Sequence, residues 1–190
     1  VVNVPPTTAD RVASLAGCRL VRRPSLRLIY LGMDVGRDQS PGVPGSPPNP
    51  LRDRRVREAV TKAIDNQLIV KTIMAGNAEP ADQLFPEGVT GYDPELTLNR
   101  PDLESARRLL TEAGYPDGFR VRLDGPNDRY VNDAKILQAV AAQLARVCIQ
   151  VEVAAMPKAR FFDLDARGEC SFFLIGWSNT NGDGIATFDH

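Results

Sequence analysis

Between residues 101 and 175 the apolar residues switch repeatedly between a helical and an alternating period. That alternation limits the folds open to the chain more than any other feature. Leu103, Ala106, Leu110 and Ala113 share one helical face, Pro101 sits at a favoured first-turn position, and Gly114 with Pro116 ends the helix. Phe119, Val121 and Leu123 then alternate as a half-buried strand does. Ala134, Leu137, Ala141 and Leu144, flanked by Val140 and Val147, return to the helical period before Ile149, Val151 and Val153 alternate again. Pro157 opens a third helix carrying Phe161, Phe162 and Leu164, and Phe172–Ile175 is the continuous apolar run of a strand buried on both faces. Strand–helix–strand–helix–strand at these lengths predicts two right-handed βαβ units, hence the α/β class with a parallel core and flanking helices. Strand order is left open, as is whether a further strand at 26–34 joins the sheet.

Upstream, residues 49–70 spell a second compact unit. Val56, Ala59, Val60, Ala63 and Ile64 form the stripe of a helix packed on a core, with Asp53 in the capping position. Asp65-Asn66 starts another helix, which stops at Gly76. Residues 36–50 carry five prolines (Pro41, Pro44, Pro47, Pro48 and Pro50) and can continue neither helix nor sheet. A second coil spans 76–100. Residues 1–24 read as irregular, with a helical stretch at 8–17, leading into an α/β lobe at 25–190. The opening alternation Val1-Val2-Asn3-Val4 reads like the middle of a strand, so the chain is expected to be a piece of a larger protein.

Bulk properties exclude several classes. The 190 residues are 43% hydrophobic and 25% charged, enough to bury one sizeable core. A net charge of −1 gives no field that favours nucleic acid or an acidic membrane. Arg52, Arg54, Arg55 and Arg57 are interleaved with Asp53 and Glu58, as on a solvated helix face. No run reaches the length of a membrane span, and no stretch reads as a signal peptide. Cys18, Cys148 and Cys170 lack metal-ligand spacing and read as buried free thiols. Cys148 and Cys170 each precede a strand and could pair only if those strands are neighbours. Asn179, Asn181, Asp183 and Gly184 echo a calcium loop, but the twelfth position is His190 where a bidentate Glu belongs. His190 is the sole histidine, and no nucleophile motif, phosphate loop or carboxylate pair points to an enzyme or to a cofactor.

Two loops follow predicted strands at the end where open α/β sheets bind ligands. One carries Asn127, Arg129 and Tyr130; the other carries Trp177, Asn179, Thr180, Asn181 and Asp183. Each combines one aromatic with side chains that donate and accept hydrogen bonds, a mixture that suits a small polar organic molecule. The same residue types also serve ordinary turns.

Four parts of the chain carry a family resemblance. Asp53-Arg54-Arg55-Val56-Arg57-Glu58-Ala59, running on to Ala63-Ile64-Asp65, resembles the D-x-R-V-R-x-A-x-x-x-A-I-D helix of extracytoplasmic solute-binding proteins of ABC importers, family 5, the peptide/nickel/opine class. Ala106–Phe119 resembles that family's A-x-x-L-L-x-E-A-G-Y-P-D-G-F turn, and Leu174-Ile175-Gly176-Trp177 its G-W strand end. Val2–Pro6 followed by Leu26–Met33 is similar to the strand leading out of its first lobe. The resemblance implies one lobe of a type II (cluster C) periplasmic binding protein. Such a protein captures a peptide-like or other small polar solute between two lobes by hinge closure and delivers it to a membrane permease outside the cytoplasm. Peptide, sugar, glutathione-like thiol, opine and metal chelate all stay open as the solute. A non-transport signalling receptor or protein-interaction lobe is the alternative use of the fold. The resemblance also implies that Trp177 walls the pocket. In peptide-binding members an aspartate three residues after this tryptophan holds the ligand's α-ammonium; here Thr180 stands there, with Asp183 the candidate substitute.

Overall fold

The three strands expected between 119 and 175 and the further one at 26–34, whose place the sequence leaves open, form one four-stranded sheet. The computed structural model describes residues 4, 8–21, 25–45, 48–96 and 100–179. Its elements are α1 (Ala9–Ala13), β1 (Arg27–Met33), α2 (Arg54–Ala63), α3 (Asn66–Thr72), α4 (Leu103–Glu112), β2 (Arg120–Pro126), α5 (Asp133–Ala145), β3 (Gln150–Met156), α6 (Lys158–Ala166) and β4 (Phe172–Ser178). The strand order is β1-β4-β2-β3. β2 pairs in parallel with β3 and with β4, as the βαβ pattern requires, and β1 joins antiparallel to β4 with Arg27 opposite Ser178. Three strands therefore end at one edge of the sheet, and β1 begins there.

Capping sets the helix starts. The Asp53 side chain accepts from the Arg55 N–H at 2.8 Å, Asp65 from Leu68 at 2.8 Å and Asp102 from Ser105 at 2.9 Å. Gly118 (φ 72°) begins the turn into β2, and a Cβ there would stand 1.9 Å from the Cys148 carbonyl oxygen, so only glycine fits. On one face of the sheet, α5 lays Leu137 against Gly125 of β2, and α2 packs on α4 and α5 through Val56, Ala59, Val60 and Ala63, all buried. Phe172, Leu174, Leu123 and Val121 complete this core. The other face holds a smaller cluster of Met156, Phe161 and Cys170 beneath α6.

The proline-rich coil is tied down. Gly42 accepts the Arg122 N–H at 2.7 Å, Asp34 donates its N–H to the Ser171 carbonyl at 2.7 Å, and the buried Asn49 donates to the Asp34 carbonyl at 2.8 Å. These bonds close the edge of the sheet opposite the strand ends. The cysteine expectation holds only for Cys170: Cys18 and Cys148 are exposed. A Cys148–Cys170 bridge is ruled out because β2 lies between β3 and β4, and all three thiols are free.

Candidate functional site

The edge where β2, β3 and β4 end is organised by one phenol. β2 meets β4 at Asp124 opposite Phe173, then turns away after Pro126. The peptide groups of Gly176, further along β4, would lose their strand partner there. Tyr130 takes that place: its hydroxyl accepts the Gly176 N–H at 2.9 Å and donates to the Gly176 carbonyl at 3.3 Å. A side chain at Gly176 would meet Ile29 Cδ1 at 2.5 Å and Tyr130 Cε1 at 2.9 Å. The glycine is what lets the tyrosine lie against the strand.

Asp133, buried at the start of α5, shapes the loop that carries Tyr130. Its Oδ2 accepts the backbone N–H groups of Arg129 and Tyr130, both at 2.9 Å. Asn132 (φ 58°) donates its side-chain amide to the Ile73 carbonyl at 2.8 Å, fixing the same loop to the end of α3. Asn127 extends the β2–β3 ladder by donating its N–H to the Met156 carbonyl at 2.9 Å, and Asp128 accepts the Lys158 N–H at 2.7 Å. Across the edge, the Asn179 N–H donates to the Leu26 carbonyl at 3.2 Å, carrying the β1–β4 ladder past Ser178, and Asn179 is buried.

Of the residues singled out in the sequence, Asn127, Arg129, Tyr130, Trp177 and Asn179 stand at this one edge. Thr180, Asn181 and Asp183 lie outside the described residues, as does His190. Arg129 and Asn127 are exposed; Tyr130 and Trp177 are half-buried. Strand alternation sends Trp177 to the sheet face opposite the one Tyr130 covers at Gly176. The two aromatics therefore flank the strand end from either side.

Arg27 was not singled out in the sequence. Its guanidinium carbon stands 6.0 Å from the Tyr130 ring centroid, and that of Arg129 stands 5.5 Å from it, both over the ring. Arg27 Nε also donates to Ser178 Oγ at 3.4 Å. The edge joins this positive charge to an apolar fringe of Leu26, Ile29 and Val131, exposed by 43%, 37% and 50%.

Asp124 lies just below the edge and is fully buried. Burial pushes its carboxyl above the usual carboxylate range, and the neighbouring Arg122 opposes that shift without cancelling it. Arg122 Nε lies 2.9 Å from Oδ1, but its hydrogen bond falls on Oδ2 at 3.1 Å. Burial, followed by the nearby Asp124 and Asp165 carboxylates, raises the Cys170 thiol to about 12 and keeps it unreactive. Among the described residues no cluster of His, Cys, Asp and Glu could hold a metal.

Residues 1–190 match a model of the bacterial extracellular solute-binding proteins, family 5 Middle. The chain belongs to this family. The glutathione-binding protein GsiB of Salmonella choleraesuis is 31% identical over 185 residues, which are 95% of this chain and 34% of that protein. HbpA2 from Haemophilus parasuis superposes with a TM-score of 0.75 at 26% identity, over 94% of this chain and 34% of its own. A dipeptide-binding protein from Pseudoalteromonas sp. SM9913, solved with Met-Leu, superposes with a TM-score of 0.81 at 20% identity, over 97% and 35%. The family 5 chain thus has the type II periplasmic binding fold and spans about a third of the length of the relatives it matches.

Proposed function

We propose that this family 5 chain forms one lobe of the solute-binding component of an ABC importer. It captures a small polar organic solute, peptide-like in character, at the edge where β2, β3 and β4 end. A second lobe of the same protein closes over that edge, and the loaded receptor presents its solute to a membrane permease outside the cytoplasm. The observation that supports this most is the Tyr130–Gly176 tether, which draws the loop after β2 and the end of β4 together at the ligand-binding edge of an open α/β sheet. The relatives named for glutathione and dipeptides point to the same solute class.

In this reading Tyr130 and Trp177 supply apolar surface on the two faces of the β4 end, while Asn127, Asn179, Thr180 and Asn181 orient polar groups of the solute. Arg129 faces an anionic group. Thr180 can accept a hydrogen bond but cannot neutralise an ammonium in a desolvated cleft, and Asp183 takes that part. The test is mass spectrometry of whatever co-purifies with the full-length protein, followed by titration of that compound. A peptide-like solute whose affinity falls on Trp177→Ala, with the melting temperature little changed, supports the reading. Equal loss of affinity and stability, with the folded fraction binding normally, returns Trp177 to the core.

A further inference from the structure

Arg27 and Arg129 come from segments about a hundred residues apart, yet both guanidiniums stand over one ring at the solute edge. Among the described residues neither takes part in any ion pair; the salt bridges formed there use other arginines and Lys62. The nearest organising carboxylate, Asp133, spends its oxygens on the backbone N–H groups of Arg129, Tyr130 and Ala134. Asp128 is likewise engaged by the Lys158 N–H. Two like charges gathered around one ring at a half-apolar edge repel, and anionic groups paired with them offset that cost. The antiparallel register of β1 is what delivers Arg27, because it places the first residue of β1 opposite Ser178, the last of β4.

We propose that Arg27 is a second anion-recognising residue of the solute site, so that the preferred solute carries two acidic groups, one for each guanidinium. This rests on the solute-binding reading above and deepens it. A planar guanidinium matches a carboxylate in a forked geometry, and two of them fix both the charge and the span of the solute. A solute with an amide in place of one acid leaves one arginine unneutralised and loses affinity.

The test uses the full-length protein and calorimetric titration with matched acid and amide solutes: Ala-Glu against Ala-Gln, and glutathione against its diamide. The wild type is expected to bind at least one acid form roughly tenfold more tightly than its amide, the worth of one charge-assisted hydrogen-bonded pair. Arg27→Gln should abolish that preference while changing affinity for the amide form less than about twofold, and Arg27→Lys, which keeps the charge but not the planar fork, should restore only part of it. A melting temperature within a few degrees of wild type for Arg27→Gln excludes a folding defect. Binding with no preference for the acid forms, or a preference that survives Arg27→Gln, would overturn the proposal and leave the solute-binding reading standing. Failure to bind any of these solutes or any co-purified compound would overturn both.

Discussion

Tyr130 is the residue on which the edge turns, and its hydroxyl is the part that can be removed cleanly. Tyr130→Phe keeps the ring and its place over Gly176 but leaves the Gly176 N–H and carbonyl without their partner. Two lost hydrogen bonds at a half-buried site are worth about 1–2 kcal/mol, readable by denaturant unfolding. The full-length variant should also bind solute less tightly, because the loop carrying Arg129 is no longer fixed to β4. Asp124 gives a pH test of opposite character. Its folded-state pKa is raised, so the folded protein holds the proton more tightly than the unfolded chain does, and stability falls as pH rises between the ordinary carboxylate value and the raised one. Asp124→Asn removes that dependence. Wild type should therefore gain stability relative to the variant as pH is lowered through that window; a difference that stays flat with pH contradicts the burial account. The aromatic, polar and charged character of both loops could be read in the sequence, because strand ends announce themselves by where the alternation stops. Asp133 and Arg27 could not. Asp133 looks like any acidic residue in a first helical turn, and Arg27 matters only once β1 is known to run antiparallel beside β4.

At the level of elements, the apolar periods and the aspartate caps predicted nearly every helix and strand. These are local signals, carried by residues within one turn or one strand. Asp53 and Asp65 each accept the backbone N–H that the capping reading demands, whereas α4 is capped by Asp102, which leaves Pro101 outside the helix instead of in its first turn. Asp53→Ala should cost about 1 kcal/mol of stability by unfolding titration, the usual worth of an N-cap. The carboxyl of Asp53 is held below the usual range, chiefly by its hydrogen bond to Arg55, so its contribution is present above the ordinary carboxylate pKa and is lost as pH falls through the lowered one. The proline-rich coil was harder to read. Its prolines exclude helix and sheet, but nothing local says that Gly42 will take the Arg122 N–H from across the chain. The exposure of Cys148 was equally hidden, since a cysteine beside a strand reads as buried until the turn is drawn, and Cys18 reads as buried only because cysteine usually is. Both should react with iodoacetamide in the native protein, while Cys170, buried and with its thiol pushed up to about 12, should react only after unfolding. Native labelling of Cys170, read by mass spectrometry, contradicts the packing described for β4 and α6.

Taken whole, the fold is asymmetric in a way that suits its proposed work. One edge of the sheet is closed by the tied-down coil at 34–50, and the other collects strand ends, two guanidiniums and an apolar fringe. Such an edge gains strength only when water is excluded from it, which is the part assigned to a second lobe. The isolated 190 residues should therefore bind the solute of the full-length protein weakly, at a dissociation constant well above about 1 μM. Calorimetry that finds micromolar or tighter binding to this chain alone would show that the edge needs no cover. The central claim, that solute is held at the edge where β2, β3 and β4 end, is tested most directly by hydrogen exchange of the full-length protein with and without its solute. Slower exchange is predicted at residues 127–132 and 176–179, with no change in the coil at 34–50. Protection confined to that coil, with the strand ends unaffected, would contradict it.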